Sequence, residues 1–208
     1  MHLPANTSQD FLPPPAGTHA AICFRLIDLG TQQVDWQGTT KHQHKVMLSW
    51  ELPTELIPTG DMAGQPFTVH QRYTYSSHEK ARLRLDLESW RGQAFQDHEL
   101  AAFDMQKLLG KPCLLGIIHD TNDGKTYANI RSLSRLPKGM EPPKPVNATV
   151  YFSLAYPDWK VYDSLSDSLK ATIARSPEYA ELVKKRTAPS GEPASDGPDD
   201  DGSETIPF

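Results

Sequence analysis

From Gly17 onward, short apolar runs alternate with polar breaks, a period-two pattern that predicts strands before any other element. Residues 18–29 are dense in β-branched and apolar side chains, and Gly30 with the polar stretch after it predicts a turn or loop. Residues 41–52 alternate cleanly. His42, His44, Val46, Leu48, Trp50 and Leu52 fall on one face, Lys41, Gln43, Lys45, Met47, Ser49 and Glu51 on the other, and Pro53 is expected to end the strand. A third strand is predicted over 67–75, with Phe67, Val69, Gln71, Tyr73 and Tyr75 on one side. The period then changes. Ser76 and Glu79 have the spacing of a capping box, and Leu83, Leu87 and Trp90 recur at helical intervals, which predicts a helix over 77–90. A short helical piece over 105–109 should stop at Gly110. Two further strands, 113–119 and 126–133, flank Asp123-Gly124, a pair suited to a tight hairpin.

Three strands, a helix between strands 3 and 4, and a closing hairpin predict a mainly β domain over 17–140. The expected fold is the five-stranded, partly open OB-fold barrel. A β-sandwich competes, but normally has more strands and no central helix. Around this domain the sequence divides further. Residues 1–16, with Pro13-Pro14-Pro15, predict an extended N-terminal arm. Residues 141–186 predict a proline-stiffened linker and a small C-terminal helical extension: a short strand over 150–154, helices over 158–175 and 177–185, and Ser176 as N-cap ahead of Pro177. Residues 187–208, rich in Pro, Gly, Ser and Asp, predict a disordered acidic tail.

Charge changes the picture once it is divided the same way. The chain has 21 Lys+Arg against 26 Asp+Glu, but six of those acids and no base lie from Thr187 onward. Residues 1–186 therefore hold 21 bases against 20 acids, so the overall charge of −5 does not exclude a basic groove on the body. Cys23 and Cys113 each sit in an apolar run without a nearby Cys or His, which predicts inert buried thiols. No apolar run approaches the ~20 residues of a membrane span, and the start lacks the form of a signal peptide, so a cytoplasmic protein is expected.

Binding of single strands needs cations for phosphates and flat rings for bases on one surface. The candidates are Trp36, Lys41, Lys45, Arg72, Tyr73, Tyr75, Lys125 and Tyr127, with packing as the competing role for Tyr73 and Tyr75. Trp50, sharing a face with Val46 and Leu48, is expected in the core. Lys80, Arg82, Arg84 and Arg91 interleave with Asp86 and Glu88, which favours a solvated mixed-charge helix face. His42 and His44 have a spacing zinc can use, but no carboxylate or thiol completes a set, and no metal or cofactor is expected. Phosphate-loop and nucleophile-elbow motifs are absent from the sequence, and its paired aspartates sit in predicted turns, so a non-enzymatic protein is expected.

The stretch Asp199-Asp200-Asp201 followed by Ile206-Pro207-Phe208 suggests a peptide that another protein grips, the Phe208 ring filling an apolar pocket and the acids meeting Lys or Arg. It resembles the tip of bacterial single-stranded-DNA-binding proteins, although Gly202 to Thr205 separate the acids from the apolar residues. Leu29-Gly30-Thr31-Gln32, Trp36-Gln37-Gly38, Ser49-Trp50-Glu51-Leu52-Pro53, Ser77-His78-Glu79-Lys80-Ala81, Leu85-Asp86-Leu87-Glu88-Ser89-Trp90-Arg91-Gly92 and Leu108-Leu109-Gly110-Lys111-Pro112-Cys113 look like a family of bacteriophage and prophage single-stranded-DNA-binding proteins. That resemblance, over about residues 15–140, implies DNA replication or recombination in a bacterial host, with host replication or repair proteins recruited through the tip. The alternatives are an adaptor that uses the tip without binding DNA, and a recombination accessory that anneals strands.

Overall fold

The computed structural model describes residues 12–36 and 38–187; the acidic tail and its Ile206-Pro207-Phe208 tip lie outside them. The chain is mainly β. Six strands, β1 Gly17–Trp36, β2 Thr39–Leu56, β3 Pro66–Thr74, β4 Pro112–Asn122, β5 Lys125–Ser134 and β6 Val150–Phe152, form one sheet. The first five pair antiparallel in the order β3-β2-β1-β4-β5, and β6 joins β1 in parallel beside Arg25 to Ile27. No ladder joins β3 to β5, so the sheet is not closed. Helix α1 (Arg82–Arg91), α2 (Asp97–Ala101) and a 3-10 turn at Met105–Leu108 occupy the β3–β4 connection. Helices α3 (Trp159–Ser164), α4 (Asp167–Ala174) and α5 (Pro177–Thr187) follow β6.

Strand alternation splits the apolar residues between two cores. On the inner face, Val46, Leu48, Trp50 and Leu52 of β2 pack with Val69 and Tyr73 of β3, Leu115 and Ile117 of β4, and Leu83, Leu87 and Trp90 of α1. Trp50 is fully buried, as expected, with its ring centroid 6.0 Å from that of Trp90. On the outer face, Ile27 and Met47 meet Phe152, Leu154, Leu165, Leu169 and Ile173 of the C-terminal extension. Both faces of β2 are therefore buried around Met47, which period-two alternation alone predicted for one face only.

Several boundaries move for identifiable reasons. β1 does not turn at Gly30 but runs on to Trp36. Gly30, at φ 68°, follows a bulge after Asp28. It also marks a close approach, since a Cβ there would lie 2.5 Å from the Ser176 Cβ. β2 continues past Pro53, whose missing N–H falls within the register shift between Leu52 and Leu56. The capping box does not form at Ser76. Its Oγ accepts the His78 N–H, His78 Nδ1 accepts the Lys80 N–H, and these local turns delay the helix to Arg82. The helix expected over 158–175 is broken at Leu165-Ser166 into α3 and α4. Other expectations are met. Asp123 and Gly124 both take positive φ, 49° and 74°, as a type I′ hairpin requires, and Ser176 Oγ accepts the Tyr179 N–H at the start of α5. Cys23 and Cys113 are buried free thiols, and desolvation pushes Cys23 up to about 12.

Candidate nucleic-acid interface

Residues opposite each other in a ladder point to the same side, so the register defines the outer face of β2 and β3. Lys45 stands opposite Thr74, Met47 opposite Arg72, and Ser49 opposite His70. The extension covers Met47 and leaves the β3 side open. Between that side, the end of β1 and the C-terminal end of α4 lies a polar groove of about 740 Å³, lined by Gln32, Gln33, Asp35, Lys45, Arg72, Thr172 and Arg175 among others. Lys45 and Arg72 also line an adjoining depression of about 400 Å³ that reaches Lys80 and Arg82. The two predicted cations thus border both depressions.

Neutral partners hold these cations without cancelling them. Lys45 Nζ donates to Gln43 Oε1 at 2.7 Å and to Thr74 Oγ1 at 2.8 Å, and partial burial pulls its pKa below the usual lysine value. Arg175 Nη2 donates to Thr172 Oγ1 at 3.3 Å. Arg72 is exposed and has no carboxylate partner among the described residues. Arg175 could not be found from alternation, because it reaches the groove from a helix 130 positions after Lys45 in a separate segment of the chain.

The other predicted site residues are dispersed. Tyr73 is a correction: it is 2% exposed in the inner core, where its Oη donates to Asp86 Oδ2 at 2.9 Å, because odd positions of β3 face inward. Desolvation, with the Asp86 carboxylate next in weight, drives its phenol far above the ordinary tyrosine range. Tyr75, 54% exposed, has the same parity and turns away from Lys45. It stands with Asp28, His44, Phe103 and Met105 around a cavity of about 330 Å³, its ring 5.6 Å from the His44 imidazole. Lys41 is exposed opposite Val34, on the strand face of Lys45. Lys125 and Tyr127 are exposed on the β4–β5 hairpin, and neither lines the groove. Trp36 closes β1 opposite Thr39.

His44 has a role that its spacing from His42 did not suggest. Its Nε2 lies 2.7 Å from Asp28 Oδ1 and its Nδ1 3.8 Å from Glu178 Oε1, tying β2 to β1 and to α5. The Asp28 hydrogen bond raises the His44 pKa, and that same bond, with others from Gly30 and Leu154, holds Asp28 below the usual carboxylate range despite its desolvation. Among the described residues no group of His, Cys, Asp and Glu is arranged to hold a metal. None of the described helices is long and apolar enough to cross a membrane.

The chain matches no protein-family model and no curated protein sequence.

Proposed function

We propose that this is a non-enzymatic single-stranded-DNA-binding protein that coats and protects exposed strands during phage DNA replication or recombination. The observation that carries the reading is the groove in which Lys45, Arg72 and Arg175 converge without a salt bridge to a described carboxylate, Asp35 in the same lining accepting instead from the Thr40 hydroxyl. A basic channel that follows the sugar-phosphate backbone, with rings beside it, is how sequence-tolerant single-strand binders work. The strand order β3-β2-β1-β4-β5 with α1 between β3 and β4 supports an OB-type barrel, whose outer face around strands 2 and 3 takes oligonucleotides. On that reading the β1–β2 and β4–β5 hairpins, carrying Lys41, Lys125 and Tyr127, flank the bound strand. The acids Asp199 to Asp201 and the Ile206-Pro207-Phe208 motif recruit host replication or repair proteins.

Titration with fluorescent oligo-dT and with duplex of equal length tests the reading. Preference for the single strand, with affinity falling as salt rises, is the expected result. Equal affinity for duplex, or no binding at low salt, would replace it with the adaptor, which uses the tip alone.

A further inference from the structure

Further along the outer face from Lys45, the strand register aligns three side chains in one row: Arg25 of β1 opposite Ser49 of β2, and Ser49 opposite His70 of β3. Arg72 occupies the neighbouring row beside His70. A bulge at Phe24 sets this arrangement, because the extra residue between Cys23 and Arg25 turns Arg25 outward, and bulges commonly re-aim a side chain in this way. Ser49, small and buried, stands between the two larger basic groups.

The electrostatics of the row are incomplete. Arg25 Nε is buried with no hydrogen-bond partner, a costly state for a donor on a charged group. Its Cζ lies 5.1 Å from the Phe24 ring centroid, a contact that favours the cation but accepts none of its N–H groups in their plane. Burial alone lowers the Arg25 pKa, with no carboxylate offsetting it, and a guanidinium stays charged regardless. The carboxylate that shares this face, Glu51, is fully buried and turned to the extension, accepting from Val146 N, Asn147 N and Asn147 Nδ2. Although the His70 ring is exposed, its surroundings desolvate it enough to lower its pKa, and Arg72 and Arg25 lower it further.

We propose that Arg25, His70 and Arg72 form a phosphate-binding site on the outer face of β1–β3, seating one backbone phosphate of the strand that runs through the Lys45–Arg72–Arg175 groove. This rests on the single-strand reading for its ligand, not for its geometry. A phosphate there gives the half-buried guanidinium an acceptor, and its charge favours the imidazolium form of His70.

The test is a pH titration of the His70 imidazole by NMR in the full chain, alone, with saturating oligo-dT, and with inorganic phosphate. The His70 pKa is expected to start below about 6.5, the ordinary histidine value, and to rise with either anion. Arg25→Gln and His70→Gln should each weaken oligo-dT binding several-fold, and Arg25→Gln should also reduce the log–log salt slope by about 0.7. Arg25→Lys should not rescue it, because an ammonium lacks the planar fork. Oligo-dT that binds tightly without moving His70, and equally to the Arg25→Gln and His70→Gln variants, overturns the site and leaves the single-strand reading standing. Inorganic phosphate that moves His70 when oligo-dT does not bind keeps the site and removes the reading. If Arg25→Gln fails to fold, the His70 shift in the parent protein decides.

Discussion

Helix α1 and the outer face of β1–β3 both carry clustered arginines, and they reach opposite electrostatic states. On α1 and its flank, Arg82 meets Asp86 at 2.8 Å, Arg84 meets Glu88 at 2.9 Å, and Arg91 pairs with Glu99. On the sheet and at the end of α4 beside it, Arg25, Arg72 and Arg175 have no carboxylate partner among the described residues, although acids stand nearby. Those acids are engaged elsewhere. Glu51 holds the backbone at 146–147, Asp28 accepts from Gly30 N, Leu154 N and His44, and Glu178 accepts from the Thr31 N–H and hydroxyl. Glu51, Asp28 and Glu178 are taken up in docking the extension and Asp35, which lines the groove, accepts from the Thr40 hydroxyl, so none of these acids pairs with Arg25, Arg72 or Arg175. A count of basic residues cannot distinguish the two regions, since nearby acids, at i,i+4 for Arg82 and Arg84 and on α2 for Arg91, neutralise one set while the acids near the other are engaged elsewhere.

The largest effect is expected from Glu51→Ala. Losing a buried carboxylate that accepts three N–H groups should cost about 2–4 kcal/mol of stability and loosen residues 146–187, seen as a lower denaturant midpoint and faster hydrogen exchange there. Unchanged exchange in that segment would break the anchoring half of the comparison. Lys45→Ala with Arg72→Ala should cost about 1.5–3 kcal/mol of single-strand affinity and flatten the salt dependence, with little change in melting. Retained affinity would place the strand on another face.

Tyr73→Phe should lower stability by about 1 kcal/mol, as Asp86 loses a buried donor, and leave oligo-dT binding unaltered. The His44 contacts predict a pH window. A raised His44 pKa contributes stability below about 6.5 that is lost as pH rises through the folded value. Lowered Asp28 and Glu178 pKa values contribute stability above about 4 that is lost as pH falls. Together they stabilise the extension most between those limits, and His44→Gln should flatten the alkaline side of a melting-temperature profile; an unaltered profile would remove His44 from the anchoring. Smallest of all, Arg84→Ala should cost about 0.2–0.5 kcal/mol of helix stability and nothing in DNA affinity, measured by denaturation and oligo-dT titration. Weakened binding there would show that paired cations also serve the strand.

Local pattern alone determined much of this protein. Alternation placed Val46, Leu48 and Trp50 on one buried face, helical spacing placed Leu83, Leu87 and Trp90 on another, and Asp123-Gly124 set a hairpin, because each depends on neighbours a few positions away. It also put Lys45 and Arg72 among the binding candidates. What it could not decide was which cations would remain unpaired, because Arg175 reaches the groove from α4 and Glu51 is claimed by a segment about 95 residues later. Nor could it separate Tyr73 from Tyr75: identical in type and parity, one is sealed under α1 and the other lies beyond its cover. Burial of those rings and pairing of those charges depend on contacts far apart in the chain, and only the packed tertiary structure brings them together.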